Sequence, residues 1–151
     1  MDNIVLLCTD GSDGAIEALR ASLPVLAPAD RTILVTVESP VDPELVTGTG
    51  FSSGPSAADV SGQIETSGDL VAKKILDRTR DALGLEGVEL MAVVGDPGKA
   101  ICDLAESLPA SVVVIGTSGR SGLRRAMIGS TSDYVVRHAV CPVLAQGVGQ
   151  R

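Results

Sequence analysis

Two stretches of this 151-residue chain concentrate the residue types that handle a small anionic ligand. The longer begins at Gly116-Thr117-Ser118-Gly119-Arg120-Ser121-Gly122, passes Arg124 and Arg125, and ends at Gly129-Ser130-Thr131-Ser132. Its glycines let backbone N–H groups approach oxygens that a Cβ would obstruct. Ser130 and Thr131 open a predicted helix, whose first N–H groups and positive dipole end favour phosphate, and their hydroxyls add donors. The chain carries a net charge of −7, yet residues 116–137 set Arg120, Arg124, Arg125 and Arg137 against Asp133 alone. A glycine-rich turn of this kind also serves simply to cap a strand, and the local chemistry leaves both readings open. A Walker A loop is excluded, because no Lys follows Lys99, and GxGxxG does not occur.

The shorter stretch is Thr9-Asp10-Gly11-Ser12. By residue type alone Asp10 is a turn or helix-start residue as readily as a ligand contact. Asp13 and Glu17 fall in the first turns of the helix that follows, where acids complement the dipole. His138 is the only histidine and sits near the end of a helix, where a cation is favoured. No His/Cys/Asp group has the spacing of metal ligands.

The elements that position these stretches alternate between short apolar runs and segments of helical period, the pattern of βαβ units in a parallel sheet covered on both faces. Strands are predicted at Ile4–Cys8, Thr32–Val37, Val88–Val94, Ser111–Gly116 and Pro142–Ala145. The first helix follows an N-cap at Ser12 and presents Ile16, Leu19, Leu23 and Leu26, with Pro24 disturbing its last turn. The second runs from about Ile64 to Leu83 with Leu70, Val71, Ile75 and Leu76 inward, and stops near Gly84. Asp96 before Pro97 caps a third, with Ile101, Leu104, Ala105 and Leu108 buried. Ser130 to Asp133 has the spacing of a capping box for the fourth. Residues 39–62 are rich in Pro, Gly, Ser and Ala without a sustained period, and are expected to form a mobile loop. Ligands of open α/β sheets sit beyond the strands' carboxyl ends, so both glycine-containing stretches open on one crevice if the first and fourth strands are neighbours.

The length fits one domain, residues 1–151. Single Phe51 and Tyr134 and no Trp leave a core of aliphatic side chains. The negative charge argues against nucleic acid and anionic membranes as partners. Cys8, Cys102 and Cys141 lie in apolar stretches, which fits reduced, buried thiols, and the N-terminus lacks a basic, apolar leader; a cytoplasmic location without membrane insertion is expected.

The GxxG-x9-GS pattern of Gly116, Gly119, Gly129 and Ser130 resembles the nucleotide loop of universal stress proteins. Asp10-Gly11-Ser12, the Gly95-x-Pro97 turn and Cys141-Pro142-Val143-Leu144 follow that family's order, so the resemblance covers Met1 to Ala145. It implies a Rossmann-like, adenine nucleotide α-hydrolase-like fold: a five-stranded parallel sheet, order 3-2-1-4-5, with helices on both faces. It further implies that ATP is bound, with any Mg held mainly through the phosphates. By position, Asp10 would stand near the ribose, Val37 would offer backbone groups to the adenine edge, and Gly116 and Gly119 would flank ribose and phosphates. Gly129, Ser130 and Thr131 would grip the phosphate chain, with Arg120 complementing its charge. Without the resemblance Val37 reads as plain sheet core.

The implied function is a nucleotide-binding regulatory or sensor module in the stress response, homodimeric through the strand at 143–145. No catalytic residue is assigned. A slow ATP hydrolase, lacking an evident general base, and a dimeric adaptor that binds no nucleotide are the alternatives, and a regulatory protein or transporter partner is left unnamed.

Overall fold

The computed structural model describes residues 1–40, 57–117 and 129–147, those of 57–69 as backbone. Five parallel strands, β1 (Ile4–Cys8), β2 (Arg31–Glu38), β3 (Glu89–Val94), β4 (Val112–Gly116) and β5 (Val143–Gln146), lie in the order β3-β2-β1-β4-β5. The fold class expected from the sequence is therefore the one observed. β1 is central and buried at every residue, and its alternate side chains feed two cores. Leu6 and Cys8 join Ile33, Val35, Val113 and Ile115 under helices α3 (Pro97–Ser107) and α4 (Ser130–His138). Val5 and Leu7 join Leu34 and Val114 under α1 (Asp13–Ser22) and α2 (Ala57–Leu83). Each fully buried Leu or Val contributes about 1.5–3 kcal/mol relative to exposure.

Local signals set most helix ends. Ser12 caps α1, its hydroxyl accepting from Ala15 N at 3.1 Å, and Asp96 caps α3 from Lys99 N with Pro97 in the first turn. Pro24 falls in a short 3-10 turn, Leu23–Val25. Gly84, at φ +62°, ends α2 in the left-handed conformation that glycine tolerates best.

Three expectations need correction. α2 begins at Ala57, so residues 57–62 of the expected loop are helical, while 41–56 lie outside the described residues. Leu76 is buried as expected, but Leu70 and Val71 are about half exposed, and Ala72 and Thr79 complete the inward stripe. Small and polar residues take the buried side because they share a face at helical spacing, whereas Leu70 lies some 200° around the axis from Ala72. The N-cap of α4 is Gly129 rather than Ser130, which is the first helical residue; no capping box forms, and Ser132 Oγ turns back to Gly129 O at 3.0 Å.

Candidate functional site

β1 ends at Cys8 opposite Val35 of β2, and Thr9 N donates the last bond along that seam, to Val35 O at 2.9 Å. In a parallel ladder a residue directs its N–H and C=O to the same neighbour, and the next residue directs them to the other. Val35 faces β1, so Val37 does too, while Glu38 O faces outward and accepts from Gly95 N. Since β1 has already ended, the Val37 N–H and C=O stand beside the crevice with no described strand alongside. They form an adjacent donor and acceptor, suited to the edge of a planar heterocycle.

That crevice holds a cavity of about 280 Å³. Cys8, Val35, Val37, Ile101 and Ile115 make its apolar wall, and Asp10, Thr117, Gly129, Ser130 and Thr131 its polar one. Asp10 Oδ1 accepts from Ser12 N at 2.9 Å and from Ser12 Oγ at 2.5 Å, so the carboxylate is anchored to the start of α1 while it lines the cavity. The turn roles and the wall role of Asp10 therefore coexist.

At the polar end, Thr117 N donates to Gln146 O at 3.0 Å, and Gly129 N donates to Thr117 O at 2.8 Å. These bonds tie Thr117 to β5 and Gly129 to Thr117. The N–H of Gly129 is thereby used within the chain. Asp133 N bonds Gly129 O, which leaves the N–H groups of Ser130, Thr131 and Ser132 as the first-turn donors of α4. Gly116 lines the cavity too, but its hydrogen-only side meets α1: a Cβ there would lie 3.0 Å from the Cβ of Ala18. Close packing of β4 against α1 thus favours this glycine independently of any ligand.

Burial pushes the Cys8 thiol up to about 12, with Cys102 and Cys141 adding to the rise. It is an apolar wall group, not a nucleophile. His138 is exposed, stacks on Tyr134 with ring centroids 4.0 Å apart, and stays off the cavity. Asp13 pairs with Arg78 and Glu17 with Arg20.

Of the residues singled out in the sequence, Asp10, Val37, Gly116, Gly129, Ser130 and Thr131 converge on this cavity. Gly119 and Arg120, with Arg124 and Arg125, lie outside the described residues. Cys8, Pro97 and Ile101 were not anticipated in its wall. The signal for Pro97 was available, because a helix cap directly after a strand places that helix start at the sheet's carboxyl edge. Among the described residues no group of three or more His, Cys, Asp and Glu is arranged to hold a metal ion.

The parallel sheet, with a crevice beyond the carboxyl ends of β1 and β4, defines a doubly wound α/β protein whose crevice lies at the topological switch point, where such sheets take their ligands. The universal stress protein family model matches residues 1–145, and this chain belongs to that family. It is 30% identical over 149 residues to universal stress protein YxiE of Bacillus subtilis, covering 95% of this chain and 98% of that one. Among solved structures, hypothetical protein MJ0577 superposes with a TM-score of 0.76 at 21% identity, over 100% of this chain and 99% of that one. A universal stress protein family protein from Arabidopsis thaliana, At3g01520, with AMP bound gives 0.63 at 19% identity, over 97% and 93%.

Proposed function

We propose that this chain is an adenine-nucleotide-binding regulatory module, taking ATP in the crevice between the β1 and β4 loops. The observation that carries this reading is the pairing of two ends in one cavity: the Val37 N–H and C=O above an apolar wall, and the first turn of α4 opposite. The first suits an adenine edge and the second a phosphate. The cavity, about 280 Å³, is near the lower end of the roughly 300–1,000 Å³ usual for small-molecule sites, so the base and ribose fill it and the phosphates extend along the first turn of α4. The AMP carried by the Arabidopsis relative supports the ligand class. Any Mg would be held mainly by phosphate oxygens and water.

Asp10 is the one carboxylate among the described lining residues, and its Oδ1 is engaged by Ser12. That arrangement suits a holder of nucleotide better than a fast hydrolase, which needs a base aimed at water. Homodimerisation through β5 is part of the proposal: β5 is an edge strand, and α4, packed against it, is followed by exposed Val140 and itself exposes Val136. A bound nucleotide would act by shifting dimer state or partner affinity. A cytoplasmic setting agrees with three free cysteines, and no described helix is long and apolar enough to cross a membrane.

The test is to denature the purified protein, identify released small molecules, and titrate the apoprotein with ATP, ADP, AMP and cyclic AMP. Saturable binding of an adenine nucleotide is expected; none at millimolar concentration discards the reading. Solution mass measurements that show a monomer at every concentration discard the dimer.

A further inference from the structure

Asp10 is flanked on both sides by residues that α2 holds. On one side the Thr9 and Thr79 hydroxyl oxygens lie 3.0 Å apart in a buried contact. On the other, Arg78 Nη1 donates to Gly11 O at 2.7 Å and Nη2 to Asp13 Oδ1 at 2.6 Å. Ile75 presses on Gly11, where φ is +78° and a Cβ would come within 3.0 Å of Ile75 Cγ1.

The donors run one way through this contact. Thr79 Oγ1 lies 2.9 Å from Ile75 O, which only accepts, so the Thr79 hydroxyl donates there. The Thr9 hydroxyl then donates to Thr79 and accepts from Gly11 N at 3.1 Å. Every proton has an acceptor, and the turn bearing Asp10 is bolted to α2 across a sequence separation of 70 residues. Neither Thr79 nor Arg78 lines the nucleotide cavity. Asp10 stands on the wall between that cavity and a second groove lined by Lys74, Ile75 and Arg78.

We propose that Thr79 and Arg78 are positioning residues: from α2 they set where the Asp10 carboxylate stands in the crevice, and so control nucleotide affinity without touching the nucleotide. The inference rests on the reading of the crevice as a nucleotide site. Its physical basis is that a buried hydroxyl deprived of its acceptor must turn elsewhere, and for Thr9 the adjoining space is the cavity edge.

The experiment uses the full chain and titrates AMP and ATP into wild type, Thr79→Val, Thr79→Ser and Arg78→Met, with thermal unfolding recorded for each. Thr79→Val keeps the shape and is expected to bind about 10-fold more weakly, the scale of one lost hydrogen bond. Thr79→Ser restores the hydroxyl and should bind within about 2-fold of wild type on the same scale. In an Asp10→Ala background Thr79→Val should cost no further affinity, because coupled residues are non-additive. A purely structural role would lower the unfolding temperature alike in both backgrounds without this convergence in affinity. Arg78→Met, at a side chain 57% exposed, carries the same comparison if Thr79→Val does not fold. Wild-type affinity in Thr79→Val, or an undiminished loss in the Asp10→Ala background, overturns the inference alone. Failure of the wild type to bind overturns the nucleotide reading and this inference with it.

Discussion

The backbone N–H of Gly129 donates to the carbonyl of Thr117 at 2.8 Å, joining the end of β4 to the threshold of α4. This bond consumes a donor that the glycine pattern alone would assign to phosphate. In the proposed site the N–H groups left for a phosphate are those of Ser130 and its successors. Gly129 has ψ 155°, which suits a residue preceding proline, and proline is favoured in the first helical position. Ser130→Pro should therefore leave the unfolding temperature nearly unchanged while removing one N–H and one hydroxyl. Calorimetry should show ATP and AMP binding about 10-fold weaker, with adenosine unaffected; equal losses for adenosine would move the phosphate site away from α4.

Gly116 and Ala18 form a second decisive contact. Gly116→Ala places a Cβ 3.0 Å from the Ala18 Cβ and should destabilise the protein by about 1–3 kcal/mol through overpacking. Ala18→Gly alone should cost about 1 kcal/mol for glycine in a helix. Together they should cost less than the sum, a favourable coupling measurable in denaturant unfolding. Strict additivity would show that β4 and α1 do not meet as described.

Cys8 lines the crevice yet should be chemically silent. With the thiol raised to about 12 by burial, only about one molecule in 10⁴ carries the thiolate at pH 8. Iodoacetamide at that pH should leave Cys8 unmodified in the folded chain and label it after denaturation, which peptide mass spectrometry resolves. Rapid labelling of Cys8 in the native protein would contradict the burial.

The acid limb of stability should contain a contribution from β2 and β3. Arg31 Nε and Nη2 each donate to Glu89 at 2.8 Å, and the hydrogen bond, together with Coulomb attraction, holds the Glu89 carboxyl below its ordinary 4.5. Because the folded value is depressed, the contribution is complete above the unfolded value and is lost as pH falls through the folded one. Glu89→Gln should flatten stability against pH in that acidic window and change little at neutral pH, since the pair is exposed. The pair lies at the amino ends of the strands, so nucleotide affinity should not move.

Much of this architecture is local enough to read from the chain. The strand runs, the Ser12 and Asp96 caps and the stop at Gly84 each depend on a few consecutive residues. The convergence of Asp10, Val37 and residues 129–131 also followed once β1 and β4 were adjacent. Leu70 and Val71 went astray because size was a poorer guide than the helical face, which Ala72 and Thr79 occupy.

By itself the sequence determined the alternation of elements and the glycine and hydroxyl residues at the sheet's carboxyl edge, because periodicity, capping and chain conformation act over short separations. Tertiary structure alone decided what those residues have left to offer. Val37 presents a donor and an acceptor because its neighbour β1 stops at Cys8. Gly129 has spent its N–H on Thr117, Gly116 packs closely against Ala18, and the Asp10 turn is fastened to Thr79 from the far end of α2. Each depends on which distant backbone or side chain arrives at hydrogen-bond or van der Waals distance, and such distances are properties of packing rather than of local sequence.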